Sequence, residues 1–143
     1  MNLGFYIKSS NGDGINSKIF MSLNEAVANN SLEDASVFFD NIDYNPIKTN
    51  FGMFNSTDMW HFTGNLVTTC VETTSKALKA VNRFDLRYFY NPNDVDILRL
   101  IDISNKTQII TDSEVDQEYV FRVTGKEPKL LKDFTVESFA EVF

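Results

Sequence analysis

The sharpest chemical spacing in the chain lies in YIKSSNGDGINSKIF, Tyr6 to Phe20, which runs from an apolar strand-like segment through two glycines into a helix-like segment. Doubly wound folds use such a turn to bring backbone N–H groups to a phosphate. The helix N-terminus is electropositive there, and glycine lets the chain approach the ligand. The nucleotide fingerprint G-x-G-x-x-G needs a third glycine, but GDGINS supplies only Gly12 and Gly14, with Ser17 in the third place. Asp13 sets a carboxylate between the glycines, where it repels a phosphate. No Gly-Lys-Ser/Thr follows, so the turn is not a P-loop. The spacing predicts a tight corner at the carboxyl edge of the sheet, beside Asp40 and Asn55 to Asp58, that binds no nucleotide phosphate.

Two acidic pairs come next. In FFDNIDY, Asp40 and Asp43 follow the second strand-like run, the position from which an acid holds a ribose hydroxyl in dinucleotide folds. In NDVDI, Asp94 and Asp96 have the Asp-x-Asp spacing of a metal-binding pair. Asn91 and Pro92 just before them read as a helix cap followed by proline at the first helical position. The two carboxylates then fall in a first helical turn about 200° apart, which matches the helix dipole and not a shared ion. His61 is the one histidine, so a metal centre or a Ser-His-Asp set would rest on a single imidazole. With Asp58 it is the only candidate for a catalytic role, and DMWHFTGN otherwise reads as packing or surface. Cys70 ends a strand-like run with no further imidazole to activate it and reads as a small buried hydrophobe.

In an open parallel sheet the strand ends collect Ser9, Asn11, Asp40, Asn55, Asp58, Asn91 and Asp112 at one edge, where ligands of such sheets bind. The candidate ligand-binding set is Asn11, Gly12, Gly14, Asp40, Asn55 and Asp58. Rich in Asn and Asp and poor in Lys and Arg, it suits a hydroxyl-rich, sugar-like ligand better than a phosphate. No cofactor and no metal are expected.

The elements that must hold these residues follow from periodicity. Strand-like runs read LGFYIK, ASVFFD, FGMF, LVTTC, LRYFY, TQIIT and KLLKD. Helical spacing joins Ile19, Leu23, Ala26 and Val27, then Ala77, Leu78 and Val81, then Val95, Leu98 and Ile101. It continues with Val115, Tyr119, Val120 and Val123, and ends with Val136, Phe139, Ala140 and Phe143. Ser113 and Thr135 precede acidic first turns as N-caps, and Gly125 followed by Pro128 closes a helix. NIDYNPIKTN reads as a loop. Strands alternating with helices predict one α/β domain over 1–143: a three-layer, Rossmann-like fold with a mostly parallel sheet of about seven strands and Leu3 to Ile7 as the central strand.

Composition excludes several classes. Thirteen basic against twenty acidic residues give a net charge of −7, with no basic block to hold nucleic acid or an anionic membrane. No run approaches the ~20 apolar residues of a membrane span. The N-terminus has no signal-peptide pattern, so a cytoplasmic location is expected.

MNLGFYIKSSNGDGINSKIFMSLNEAVANN resembles the opening of the N-terminal, acceptor-side domain of GT-B-type glycosyltransferases, a strand, a glycine-rich loop and a helix. FGMFNSTDMWHF is similar to that family's strand ending in a polar cluster with Asp and Trp. TQIITDSEVDQEYVFRVTGKEPKLLKDFTVESF looks like its last unit before the domain junction. The family's histidine near the cluster is absent, with Asn55 and Thr57 in its place and His61 later. The donor-binding second domain would begin where this chain ends. The resemblance therefore implies an acceptor-side half that depends on a partner chain for any transfer. Two functions stand: a non-catalytic binding or interaction module, which is preferred and could engage a protein partner or a second copy, and the acceptor-side subunit of a two-chain glycosyltransferase. Packing of the apolar face of FTVESFAEVF on its own sheet would favour the first.

Overall fold

Leu3, Phe5 and Ile7 alternate with Gly4, Tyr6 and Lys8, and all but Lys8 are buried, as expected of a strand covered on both faces. In the computed structural model, which describes residues 2–32, 34–80, 84–94 and 96–143, this segment is β1 (Asn2–Ser9). It is followed by α1 (Gly14–Ala28), β2 (Asp34–Asn41) and β3 (Gly52–Asn55). A 3-10 segment (Ser56–His61) leads to β4 (Gly64–Thr68), α2 (Val71–Leu78), β5 (Phe84–Phe89) and α3 (Ile97–Lys106). The chain continues through β6 (Gln108–Thr111), α4 (Glu114–Thr124), β7 (Lys129–Leu130) and α5 (Val136–Glu141).

The seven strands form one sheet in the order β3-β2-β1-β4-β5-β6-β7, and every pairing is parallel. Phe5 lies opposite both Val37 and Val67, so β1 is an interior strand with β2 and β4 on its flanks. The central position expected of Leu3 to Ile7 belongs instead to β4, because three strands follow it on one side and β1, β2 and β3 lie on the other. Helices cover both faces, giving the three-layer, Rossmann-like arrangement the alternation predicts.

One face packs on α1 and α5. Leu3, Phe5, Ile7, Val37, Val67, Phe89 and Ile110 meet Ile19, Phe20, Leu23 and Ala26 of α1 and Val136, Phe139 and Val142 at the C-terminal end. The connection from β2 to β3 has no helix. Its loop lies over α1 instead, where Asn24 donates from Nδ2 to the Lys48 carbonyl at 2.8 Å and accepts the Asn50 N–H at 2.8 Å. Phe51 completes the cover against Phe20, with ring centroids 6.0 Å apart. The opposite face carries the 3-10 segment, α2, α3 and α4 over two clusters, one around Tyr6, Phe38, Phe62 and Leu66, the other around Tyr88, Leu100, Ile109 and Val120.

Helix starts follow side-chain caps. Ser113 Oγ accepts the Asp116 N–H at 3.2 Å and Thr135 Oγ1 accepts the Ser138 N–H at 3.2 Å, as their sequence context predicts. Gly125 closes α4 at φ 74°, a conformation in which any Cβ is strained. α3 departs from expectation. Asn91 does not cap it: Asn91 Oδ1 accepts the Asn93 N–H at 3.0 Å and folds a turn. Asp96 is the N-cap, accepting the Arg99 N–H at 3.1 Å. The later start turns the helix so that Leu100 and Ile103 are buried while Leu98 is 80% exposed. Val115 is also exposed, which leaves Val120 as the buried anchor of α4. Just past α5, its C-cap Val142 takes the buried place expected of Ala140, and Phe143 is half-buried. Val81 and Val95, expected on helix faces, lie outside the described residues.

Candidate functional site

The turn after β1 is built by asparagine. Asn16, buried in the first turn of α1, donates from Nδ2 to the Ser9 carbonyl at 3.0 Å and the Asn11 carbonyl at 3.0 Å. Asn11 Oδ1 accepts the Asp13 N–H at 3.1 Å, and Ser9 Oγ accepts the Asn11 N–H at 3.3 Å. Gly12 lies close to the neighbouring loop, since a Cβ there would stand 2.5 Å from Asn45 Oδ1 and displace that side chain. Asp13 occupies the N-cap position without a side-chain cap bond, and Gly14 opens the helix at φ 54°. Ser10 Oγ exchanges hydrogen bonds with the backbone of Asp43, accepting its N–H at 2.7 Å and donating to its carbonyl at 3.0 Å. The turn therefore sits at the carboxyl edge, as expected. Its neighbours are Asp43, Asn45 and Pro46. Asp40 and Asn55 also stand at carboxyl ends, of β2 and β3, but the Asp40 side chain turns to the opposite face of the sheet.

Asp40 belongs to the other face of the sheet. Its carboxylate accepts the Tyr6 hydroxyl at 2.7 Å and the Lys76 ammonium at 2.9 Å. Lys76 also reaches Glu72 at 3.4 Å, and Glu72 pairs with Lys8 at 2.7 Å, so a ladder of charges ties β1 and β2 to α2. Burial alone would raise the Asp40 carboxyl, but hydrogen bonds from Lys76, Tyr6 and Ser56 hold it below its ordinary value. Burial, reinforced by the Asp40 charge, pushes the Tyr6 phenol well above the usual tyrosine range. With its oxygens taken by protein donors, Asp40 is a structural node and not the free acid that would hold a ribose.

Asn55 caps the 3-10 segment, its Oδ1 accepting the Thr57 N–H at 3.1 Å. That segment carries the chain from the carboxyl end of β3 back to the amino end of β4. Asp58 and His61 consequently line a groove with Asn2 and Asp34, at the strands' amino ends, and do not join the carboxyl edge. The edge expected from the strand ends is thus divided. Asn11, Gly12, Gly14, Asn55, Asn91 and Asp112 stay at the carboxyl edge, Asp40 ends β2 there with its side chain in the α2 ladder, and Asp58 lines the other groove with His61.

Where β1 and β4 part to opposite sides, the start of α2 is already occupied. Asp94 accepts the Val71 N–H through Oδ2. Cys70 Sγ accepts the Thr73 N–H at 3.4 Å as half of a capping box. Asp94 and Asp96 therefore cap two different helices and do not share one turn. Cys70 is a half-buried cap and not a core hydrophobe.

An open groove of about 380 Å³ does lie at the carboxyl edge, between the start of α1 and the loops after β5 and β6. Gly14 and Lys18 form one wall and Asn91, Asn93, Asp112 and Asp116 the other, with Ile15, Tyr90 and Phe134 as apolar surface. Tyr90 stacks on Tyr119 with centroids 6.2 Å apart, and burial raises its phenol above the ordinary value. Asn91 and Asp112 are legible as strand-end residues. Lys18, Asp116 and Phe134 are not, although the strand order would bring α1 against β5 and β6 once it was known.

Among the described residues no group of three or more His, Cys, Asp or Glu could hold a metal ion, and no helix is long and apolar enough to cross a membrane. Compared with models of protein families, with characterised proteins and with solved structures, the chain gives no match.

Proposed function

We propose that the chain is a Rossmann-like binding module that takes a hydroxyl-rich, sugar-like ligand between Gly14, Asn91 and Asp112. One observation carries this reading: a groove of about 380 Å³ opens at the carboxyl edge of the parallel sheet, with amides and carboxylates on its rim and aromatic side chains in its wall. That edge is where ligands of open α/β sheets bind. The rim selects the class. Asp112 and Asp116 repel phosphate, and Lys18 is the one cation among the described lining residues. Asn91 and Asn93 both donate and accept, and the carboxylates accept, which is the complement of a set of hydroxyls. Phe134 offers a surface for the C–H face of a sugar ring.

The packing of α5 favours a self-sufficient module over the acceptor-side half of a two-chain glycosyltransferase. Val136, Phe139 and Val142 are spent on the chain's own sheet. Calorimetric titration with a panel of mono- and disaccharides, inorganic phosphate and a nucleoside diphosphate tests the reading. Saturable binding of a sugar, weakened about tenfold by Asn91→Ala and by Asp112→Ala, is the expected result. Binding of phosphate or the nucleotide with every sugar silent would overturn it.

A further inference from the structure

A second groove, of about 390 Å³, lies at the opposite end of the sheet and has a different chemistry. Phe38, Phe54 and Phe62 form its aromatic wall, with Phe38 to Phe54 centroids 6.0 Å apart and Phe38 to Phe62 centroids 5.5 Å apart. Phe38 and Phe62 are buried floor, whereas Phe54 is 42% exposed. Around the rings stand Asp34, Asp58 and His61, all exposed. No lysine or arginine is among the described lining residues. The other large grooves each contain at least one: Lys106 and Lys126, Lys18, or Arg87 and Lys106.

Aromatic faces attract a cation through the ring quadrupole, and the attraction grows where the cation is partly desolvated. Carboxylates beside the rings complete the recognition by accepting its N–H groups. The geometry points to a site for an organic cation in this groove, an alkylammonium or guanidinium group carried on an apolar stem, with Phe54 supplying the ring face and Asp34 and Asp58 the counter-charge. A neutral ligand of the same shape would gain the apolar contact alone. An anion meets two carboxylates and no lysine or arginine of the described lining. The site does not depend on the carboxyl-edge groove, so each can fail without the other.

Two sources carry this chemistry, a free amine and the lysine side chain of another protein. The test titrates the whole chain with phenethylammonium, with Nα-acetyl-lysine methylamide and with the neutral isostere 2-phenylethanol, following the NMR shifts of Phe54 and His61. The expected result is saturable binding of at least one cation, about tenfold tighter than the isostere. Asp58→Asn and Phe54→Leu, both at exposed positions, should each weaken it severalfold. Binding of phenethylammonium alone assigns the groove to a small aryl amine, and comparable binding of the lysine derivative assigns it to a partner's side chain. Equal binding of cation and isostere, no saturable shift with either cation, or full affinity in both variants would overturn the proposal.

Discussion

The Tyr6 hydroxyl donates to Asp40 at 2.7 Å across the neighbouring parallel strands β1 and β2, in a residue only 1% exposed. The bond joins a phenol raised by burial to a carboxylate lowered by its donors, so it is sensitive to pH from both sides. Asp40 titrates lower in the folded chain, so its contribution is present above the ordinary carboxylate range and is lost as pH falls through and below about 4. Tyr6 titrates higher than in the unfolded chain, so its contribution is complete below its ordinary value of 10.0 and is lost as pH rises beyond it.

Urea unfolding at neutral pH should find Asp40→Ala less stable by about 1–3 kcal/mol, because the Tyr6 hydroxyl is left buried without an acceptor. Tyr6→Phe should cost less, about 1 kcal/mol, because Asp40 keeps Lys76. The acid limb of the stability profile should be flatter in Asp40→Asn than in the natural chain. Identical acid limbs would show that the bond does not govern acid stability.

Much of this architecture is legible in the order of residues. Leu3 to Ile7, Val37 to Phe39 and Ile109 to Ile110 are apolar at successive positions because both sheet faces are covered, and that pattern has few other physical origins. Ser113 and Thr135 announce their helices because a hydroxyl cap works through local geometry alone. The start of α3 is misleading for the same reason. Asn91 before Pro92 has the local form of a cap, but its side chain is used in a turn, and Asp96 takes over. The site is less legible still. Whether Asp58 faces one end of the sheet or the other depends on the direction of a six-residue 3-10 segment. The approach of α1 to the loops after β5 and β6 depends on strand order, which no local pattern encodes.

Thr111 Oγ1 is buried without a hydrogen-bond partner among the described residues. Thr111→Val keeps the shape and removes the unpaired hydroxyl, so chemical denaturation should find the variant as stable as the natural chain or more so, by up to about 2 kcal/mol. Clear destabilisation would mean that the hydroxyl is satisfied in solution.

Phe139 is 1% exposed and packs edge-on against Phe5 at 5.2 Å and Phe134 at 5.1 Å between ring centroids. Phe139→Ala should lower stability by about 3–5 kcal/mol in thermal or urea unfolding. A loss under 1 kcal/mol would mean that α5 docks only loosely on the sheet, which would revive a partner for that face.

The turn SSNGDG should bind no nucleotide phosphate, because Asp13 stands at the start of α1 and Asp94 already takes the Val71 N–H of α2. Calorimetry with nucleotides and nucleotide sugars checks this directly. Micromolar binding that Gly14→Val abolishes, with circular dichroism unchanged, would contradict it.

A two-dimensional NMR titration of the chain with a set of monosaccharides probes the carboxyl-edge groove for a sugar-like ligand. Saturable amide shifts should concentrate on Gly14, Lys18, Asn91, Asn93, Asp112 and Asp116, the residues around that groove. Shifts confined to other regions, or none with any sugar, would mean that the groove holds no such ligand.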